Sequence, residues 1–197
     1  MFRRGFKAWC EQAAASIRRE SGLELVSPLS PEVVAKRLEV ALLPVEQLAD
    51  LDVQVRGRLL GTHKSAWSAI TVSTAGTHLV VYNSAHSPAR QSNDVMHELA
   101  HILLNHTPKL SFMNPLNGML IRSYERDQED EADWLSGALL LPRQALLALI
   151  ERGDSDPEIC TRFRVSARLL QFRRNTTGVG RQLKRRRSYR GDLRASD

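Results

Sequence analysis

Cysteine is scarce in this chain of 197 residues: Cys10 and Cys160 are the whole supply, and their separation matches no thiolate metal-binding spacing. They read as two unpaired thiols, which excludes a disulfide framework and suits a reducing cytoplasm. Long apolar runs are missing too. None approaches the roughly eighteen residues of a membrane span, and the N-terminal stretch meets the polar Glu11-Gln12 without a basic-then-apolar signal pattern. The protein is therefore expected to be soluble, unexported and cytoplasmic, with no membrane contact. Basic charge is also missing from most of the chain, although the net charge is +6. Residues 181–197 hold seven Lys and Arg against two Asp, which leaves residues 1–180 at +1. The basicity belongs to a tail, 177–197, expected to be disordered and suited to weak, sequence-independent nucleic-acid contact or to solubility alone. With 42% apolar and 25% charged residues, the remainder has the composition of one domain with a sizeable core.

What is present is a chemical motif. His97-Glu98-Leu99-Ala100-His101 puts two histidines four residues apart, on one face of a helix and about one turn from each other. Val95, Met96, Ile102, Leu103 and Leu104 flank it, and neither Gly nor Pro interrupts residues 91–106, so the helix is expected to be largely buried. Two histidines and a glutamate are costly on a buried face unless an ion or a hydrogen-bond network compensates them. The H-E-x-x-H spacing fits neutral imidazoles on one Zn²⁺, with Glu98 beside the ion as general base. His106, five residues after His101, would point about 140° away on a continuing helix and is not expected to be a ligand.

A catalytic zinc normally needs a third protein ligand. The next acidic cluster opens a second apolar helix, from Ala132 to Leu141, and most of its carboxylates suit the positive end of a helix dipole. Glu129 precedes Ala132 by three residues, on the face that carries Ala132, Leu135 and Leu139 inward. It is the expected third ligand, with Glu131 as the alternative.

These two stretches, H-E-L-A-H-I-L-L-N-H at 97–106 and E-D-E-A-D-W-L-S-G-A-L-L-L-P at 129–142, resemble the ImmA/IrrE family of metallo-endopeptidases. The likeness extends over roughly residues 1–175. Trp134 and Ser136-Gly137 stand where such proteins commonly carry other residues, a difference of packing more than of chemistry. The resemblance implies a gluzincin-type zinc protease with a glutamate third ligand, an α+β zincin-like domain whose small mixed sheet packs on the motif helix, and a C-terminal helical segment. It also implies a protein substrate, often a helix-turn-helix repressor, whose cleavage relieves repression in a stress response or a mobile-element switch. Similar ligands accept other divalent ions, such as Mn²⁺.

Along the rest of the chain, helices are expected at 6–20 and from Pro31 through Leu38, and a strand at 40–45. Three further strands are read at 53–59, 67–71 and 78–83, the last two joined at Gly76-Thr77. A strand beside the motif helix could pair with an extended substrate, and either of those last two could be that edge. His78 and His86 are read as ordinary solvated or hydrogen-bonded side chains. Residues 107–123 form an apolar, turn-rich loop, and Arg122 and Tyr124 are candidate oxyanion donors. The expected division is a peptidase domain at 1–152, a helical hairpin at 153–176 and the tail. That hairpin closes the core through Ile159, Phe163, Leu169 and Leu170, or else forms a helix-turn-helix presenting Arg168, Arg173 and Arg174 to DNA. The second possibility supports an alternative function, a DNA-associated regulatory protein that keeps the zinc fold for structure or partner recognition.

Overall fold

The computed structural model describes residues 2–48, 52–74, 77–107, 109–113 and 120–183. It is a mixed α+β fold in which helices surround a small sheet. Helix α1 (Phe6–Glu20) buries Phe6, Cys10, Ala14 and Ile17 along one stripe, the spacing that the sequence sets out. Helix α2 (Pro31–Arg37) starts after Ser30 with proline in its first turn, where a missing N–H costs nothing. Strand β1 (Val40–Pro44) follows and leads into a single 3₁₀ turn, Val45–Gln47.

Residues 53–59, expected as a strand, instead lie in helix α3 (Val53–Leu60). Their alternating valines suggest a half-buried strand, but Val53 is 76% exposed, so no core face draws the segment into a sheet. The Asp52 carboxylate accepts hydrogen bonds from the Gln54 and Val55 amides and caps the helix.

Strands β2 (Ala69–Thr74) and β3 (Thr77–Tyr82) pair antiparallel, with Ala69 opposite Tyr82. β1 joins β3 in parallel, Val40 opposite His78, so the order is β1-β3-β2. The central strand is therefore β3, and β2 is an edge. Helix α4 (Pro88–Leu103) carries the H-E-x-x-H motif against this sheet. Residues 107–123, expected as a loop, include a second antiparallel pair, β4 (Lys109–Met113) and β5 (Leu120–Ser123).

Helix α5 (Arg126–Leu140) begins with a capping box. The Glu125 carboxylate accepts from the Gln128 amide, and the Gln128 side chain accepts from the Glu125 amide at 3.1 Å. Its inner face, Ala132, Leu135, Ala138 and Leu139, meets Leu99 and Ala100 of α4 in one continuous core. Helix α6 (Arg143–Arg152) ends at Gly153, whose φ of 94° needs a residue without Cβ. Helices α7 (Asp156–Phe163) and α8 (Ala167–Thr177) add Ile159, Phe163, Leu169 and Leu170 to the same core. At Gly137 an added Cβ would stand 3.1 Å from Arg173 Cδ, so glycine there admits α8 closely onto α5.

Arg173 does not face solvent. It is fully buried, donates to the Leu141 carbonyl at 2.9 Å and pairs with Glu11, while Arg174 pairs with Asp156. Of the three arginines considered for a DNA groove, Arg168 alone is exposed and has no described ion pair. Within the expected tail, residues 179–183 are helical and Val179 is buried. The rest of that tail, 184–197, lies outside the described residues. No helix among the described residues is long and apolar enough to cross a membrane.

Candidate metal centre

His97 and His101 leave α4 on the face turned toward the first turns of α5, where Glu129 stands. His97 Nε2 lies 3.0 Å from His101 Nε2 and 3.1 Å from Glu129 Oε2, and His101 Nε2 lies 3.8 Å from Glu129 Oε1. Two imidazole lone pairs and a carboxylate converging this closely repel each other unless a cation lies among them. The spacing suits one: ligands about 2.0–2.1 Å from a tetrahedral zinc stand roughly 3.3 Å apart. Two nitrogens and one oxygen are also a donor set that zinc accepts. Among the described residues these three form the one group of His, Cys, Asp or Glu whose ligand atoms gather within 4.8 Å. Glu131, the alternative ligand, points elsewhere, because residues two apart on a helix diverge by about 200°. Its carboxylate accepts from His106 at 3.2 Å.

The electrostatics without an ion show how tightly these groups are coupled. Burial disfavours the charged form of His97, but hydrogen bonds to Asp133 and Glu129 outweigh it and push its pKa up to about 10. His101 moves the other way, held neutral first by burial and then by the charge on His97. Glu129 is lowered, chiefly by its hydrogen bond to His97.

Glu98 points toward the sheet. Burial raises its pKa, and the Thr71 hydroxyl opposes that shift by donating to Glu98 Oε2 at 2.6 Å. A carboxylate that is partly desolvated and held by the hydroxyl and backbone of Thr71 is poised to take up a proton. Thr71 lies on β2, so the candidate base is tied to the edge strand.

Several residues here were not singled out from the sequence. Asp133 Oδ1 accepts from His97 Nδ1 at 3.0 Å. It follows Glu129 by four residues, so helical spacing alone would have found it. His106 was read as turning away from His101, yet its Nδ1 lies 2.9 Å from His101 Nδ1. The helix does not continue through it. Asn105 takes φ 51°, and the His106 amide donates back to the His101 carbonyl at 3.0 Å while the Asn105 amide donates to Ile102. This is a Schellman turn, and an asparagine just past a helix is its signal. Thr71 had no comparable signal, since strand-to-helix contact depends on the tertiary packing.

Tyr124, a candidate oxyanion donor, stacks its ring on His101, with centroids 3.6 Å apart and planes 17° apart. The Arg122 side chain lies outside the described residues. His86 is buried and donates from Nε2 to the Lys64 carbonyl at 2.7 Å, the hydrogen-bonded role expected of it. A cavity of about 700 Å³ opens beside Asp133 and is lined by Ser68, Arg90, Asp94, Arg168 and Phe172 among others.

A family model described as the IrrE N-terminal-like domain, of a peptidase family, matches residues 49–175, more than half of the chain. No curated protein matches it in sequence.

Proposed function

The chain belongs to the IrrE N-terminal-like family of metallopeptidases, and from that premise we propose that it is a zinc-dependent endopeptidase acting on a protein such as a helix-turn-helix repressor. The observation that carries this reading is the convergence of His97, His101 and Glu129 beside Glu98, under an edge strand. His97, His101 and Glu129 would hold the ion. When bound, zinc polarises a carbonyl and lowers the pKa of water. Glu98 would serve as general base, taking a proton on its carboxylate and passing it to the departing amine, its carboxylate oriented by Thr71. The outer edge of β2, which pairs with no other strand among the described residues, would offer its backbone to an extended segment of substrate lying as a further strand across the site. The cavity beside Asp133 has room for side chains at one end of that segment.

The DNA-associated alternative draws less support. Arg173 and Arg174 are engaged within the protein, which leaves Arg168 of those three, beside other exposed arginines such as Arg162, Arg164 and Arg181, for such contact.

The test is incubation of zinc-loaded protein with a purified helix-turn-helix repressor from its own source, with fragments identified by mass spectrometry. Defined cleavage by the wild type, abolished in Glu98→Gln with zinc content intact, is the expected result. Cleavage that survives Glu98→Gln would remove Glu98 from the chemistry, and DNA binding without any cleavage would favour the alternative.

A further inference from the structure

The metal centre proposed above leaves one connection unused. On the side of His101 away from Glu129, three side chains form a line: His101 Nδ1, then His106 Nδ1 at 2.9 Å, then from His106 Nε2 to Glu131 Oε2 at 3.2 Å. All three are withdrawn from water. His101 and His106 side chains are 1% and 6% exposed, and that of Glu131 is 17% exposed. The Schellman turn at Asn105 delivers His106 to this position, and the Tyr124 ring holds the flat face of His101.

The order of protons along the line follows from its last member. An ionised carboxylate accepts hydrogen bonds and donates none, so the proton of neutral His106 resides on Nε2. Its Nδ1 is then an acceptor, and the proton on His101 must be on Nδ1. That leaves the lone pair of His101 Nε2 turned toward His97 and Glu129, as a metal ligand requires. With Glu131 ionised and both imidazoles neutral, every other arrangement opposes two lone pairs or two N–H groups.

We propose that His106 and Glu131 are positioning residues for the metal centre, fixing the tautomer and ring orientation of His101 through a His101-His106-Glu131 chain. Neither touches the ion or a substrate. The proposal rests on the metal-centre reading and assigns Glu131 a task other than ligation. It also accounts for a histidine and a carboxylate whose side chains are only 6% and 17% exposed.

The experiment measures the zinc dissociation constant of the full chain by competition with a chromophoric chelator. The variants are His106→Leu, His106→Asn and Glu131→Leu, and the thermal midpoint of each zinc-free protein is recorded. His106→Leu is expected to weaken zinc binding by about 10–100-fold. His106→Asn, whose Oδ1 stands where Nδ1 was and accepts the same proton, recovers most of that loss. Glu131→Leu, which leaves His106 in place, weakens binding several-fold. A role in packing alone would lower the thermal midpoint and leave zinc affinity unchanged; that result in His106→Leu and Glu131→Leu overturns the proposal. Should His106→Leu fail to fold, Glu131→Leu and His106→Asn decide it by the same criterion. A wild type that binds no zinc overturns the metal-centre reading, and the chain with it.

Discussion

Thr71→Val removes one hydroxyl from the edge strand and nothing else of consequence. Valine matches threonine in shape and suits a strand, so β2 keeps its pairing with β3. What is lost is the 2.6 Å hydrogen bond to Glu98 Oε2, a neutral donor on a charged acceptor in a partly desolvated site. Such bonds contribute about 1.5–3 kcal/mol, which corresponds to roughly a 10- to 100-fold change in the proton affinity of the carboxylate. Burial already raises that affinity, and Thr71 is the first influence opposing it. The variant's acid limb of kcat/KM should therefore move to higher pH, with the largest loss below neutrality and a smaller one in alkaline solution. The assay is kcat/KM against pH on the cleaved protein substrate, with zinc content measured in parallel. Superimposable profiles for Thr71→Val and wild type, at equal zinc content, would refute the role given to this contact.

Two further predictions concern the scaffold and the site without its ion. Arg18 is fully buried and donates to the carbonyls of Leu139 at 2.7 Å, Ser27 at 2.8 Å and Ala14 at 3.1 Å, tying α1 to α5. Arg18→Met strands at least two of those acceptors at a cost of about 2–5 kcal/mol. Thermal denaturation should show a midpoint lower by about 5–15 °C; a shift under about 2 °C would contradict this. The metal-free protein should also respond to pH on both sides of neutrality. Stability from the raised His97 is complete below its ordinary value of 6.5 and is lost as pH rises through about 10. The lowered His101 contributes above 6.5, and that contribution is lost as pH falls. Zinc competes with the His97 proton, so the rise in melting temperature on adding zinc should grow from pH 6 to pH 9. An increment independent of pH would contradict competition between zinc and the His97 proton.

The motif helix and the helix of Glu129 were legible because helical periodicity is local. Four-residue spacing places His97 with His101, and the roughly 200° between residues two apart sends Glu129 and Glu131 to different neighbours. Strands β1 and β3 were legible as apolar runs bounded by turn residues. The sequence left open which strand is the edge, because order within a sheet is a property of pairing and not of any one strand. Residues 53–59 misled for a related reason. Alternation at Val53 and Val55 signals a strand only where one face is buried, and neither valine is buried; the cap at Asp52 was the better guide. His106 was misplaced by assuming an uninterrupted helix, although Asn105 marks where the chain turns back. Arg173 looks like a surface cation by composition, yet the carbonyl of Leu141 and the carboxylate of Glu11 compensate it in the core.

The most direct measurement is the metal content of the purified protein by mass spectrometry, for wild type beside His97→Ala and Glu129→Ala. The account predicts close to one zinc per chain in the wild type and its loss in both variants, each of which remains folded. Absence of metal from the wild type after reconstitution, or full retention by Glu129→Ala, would contradict the site as described.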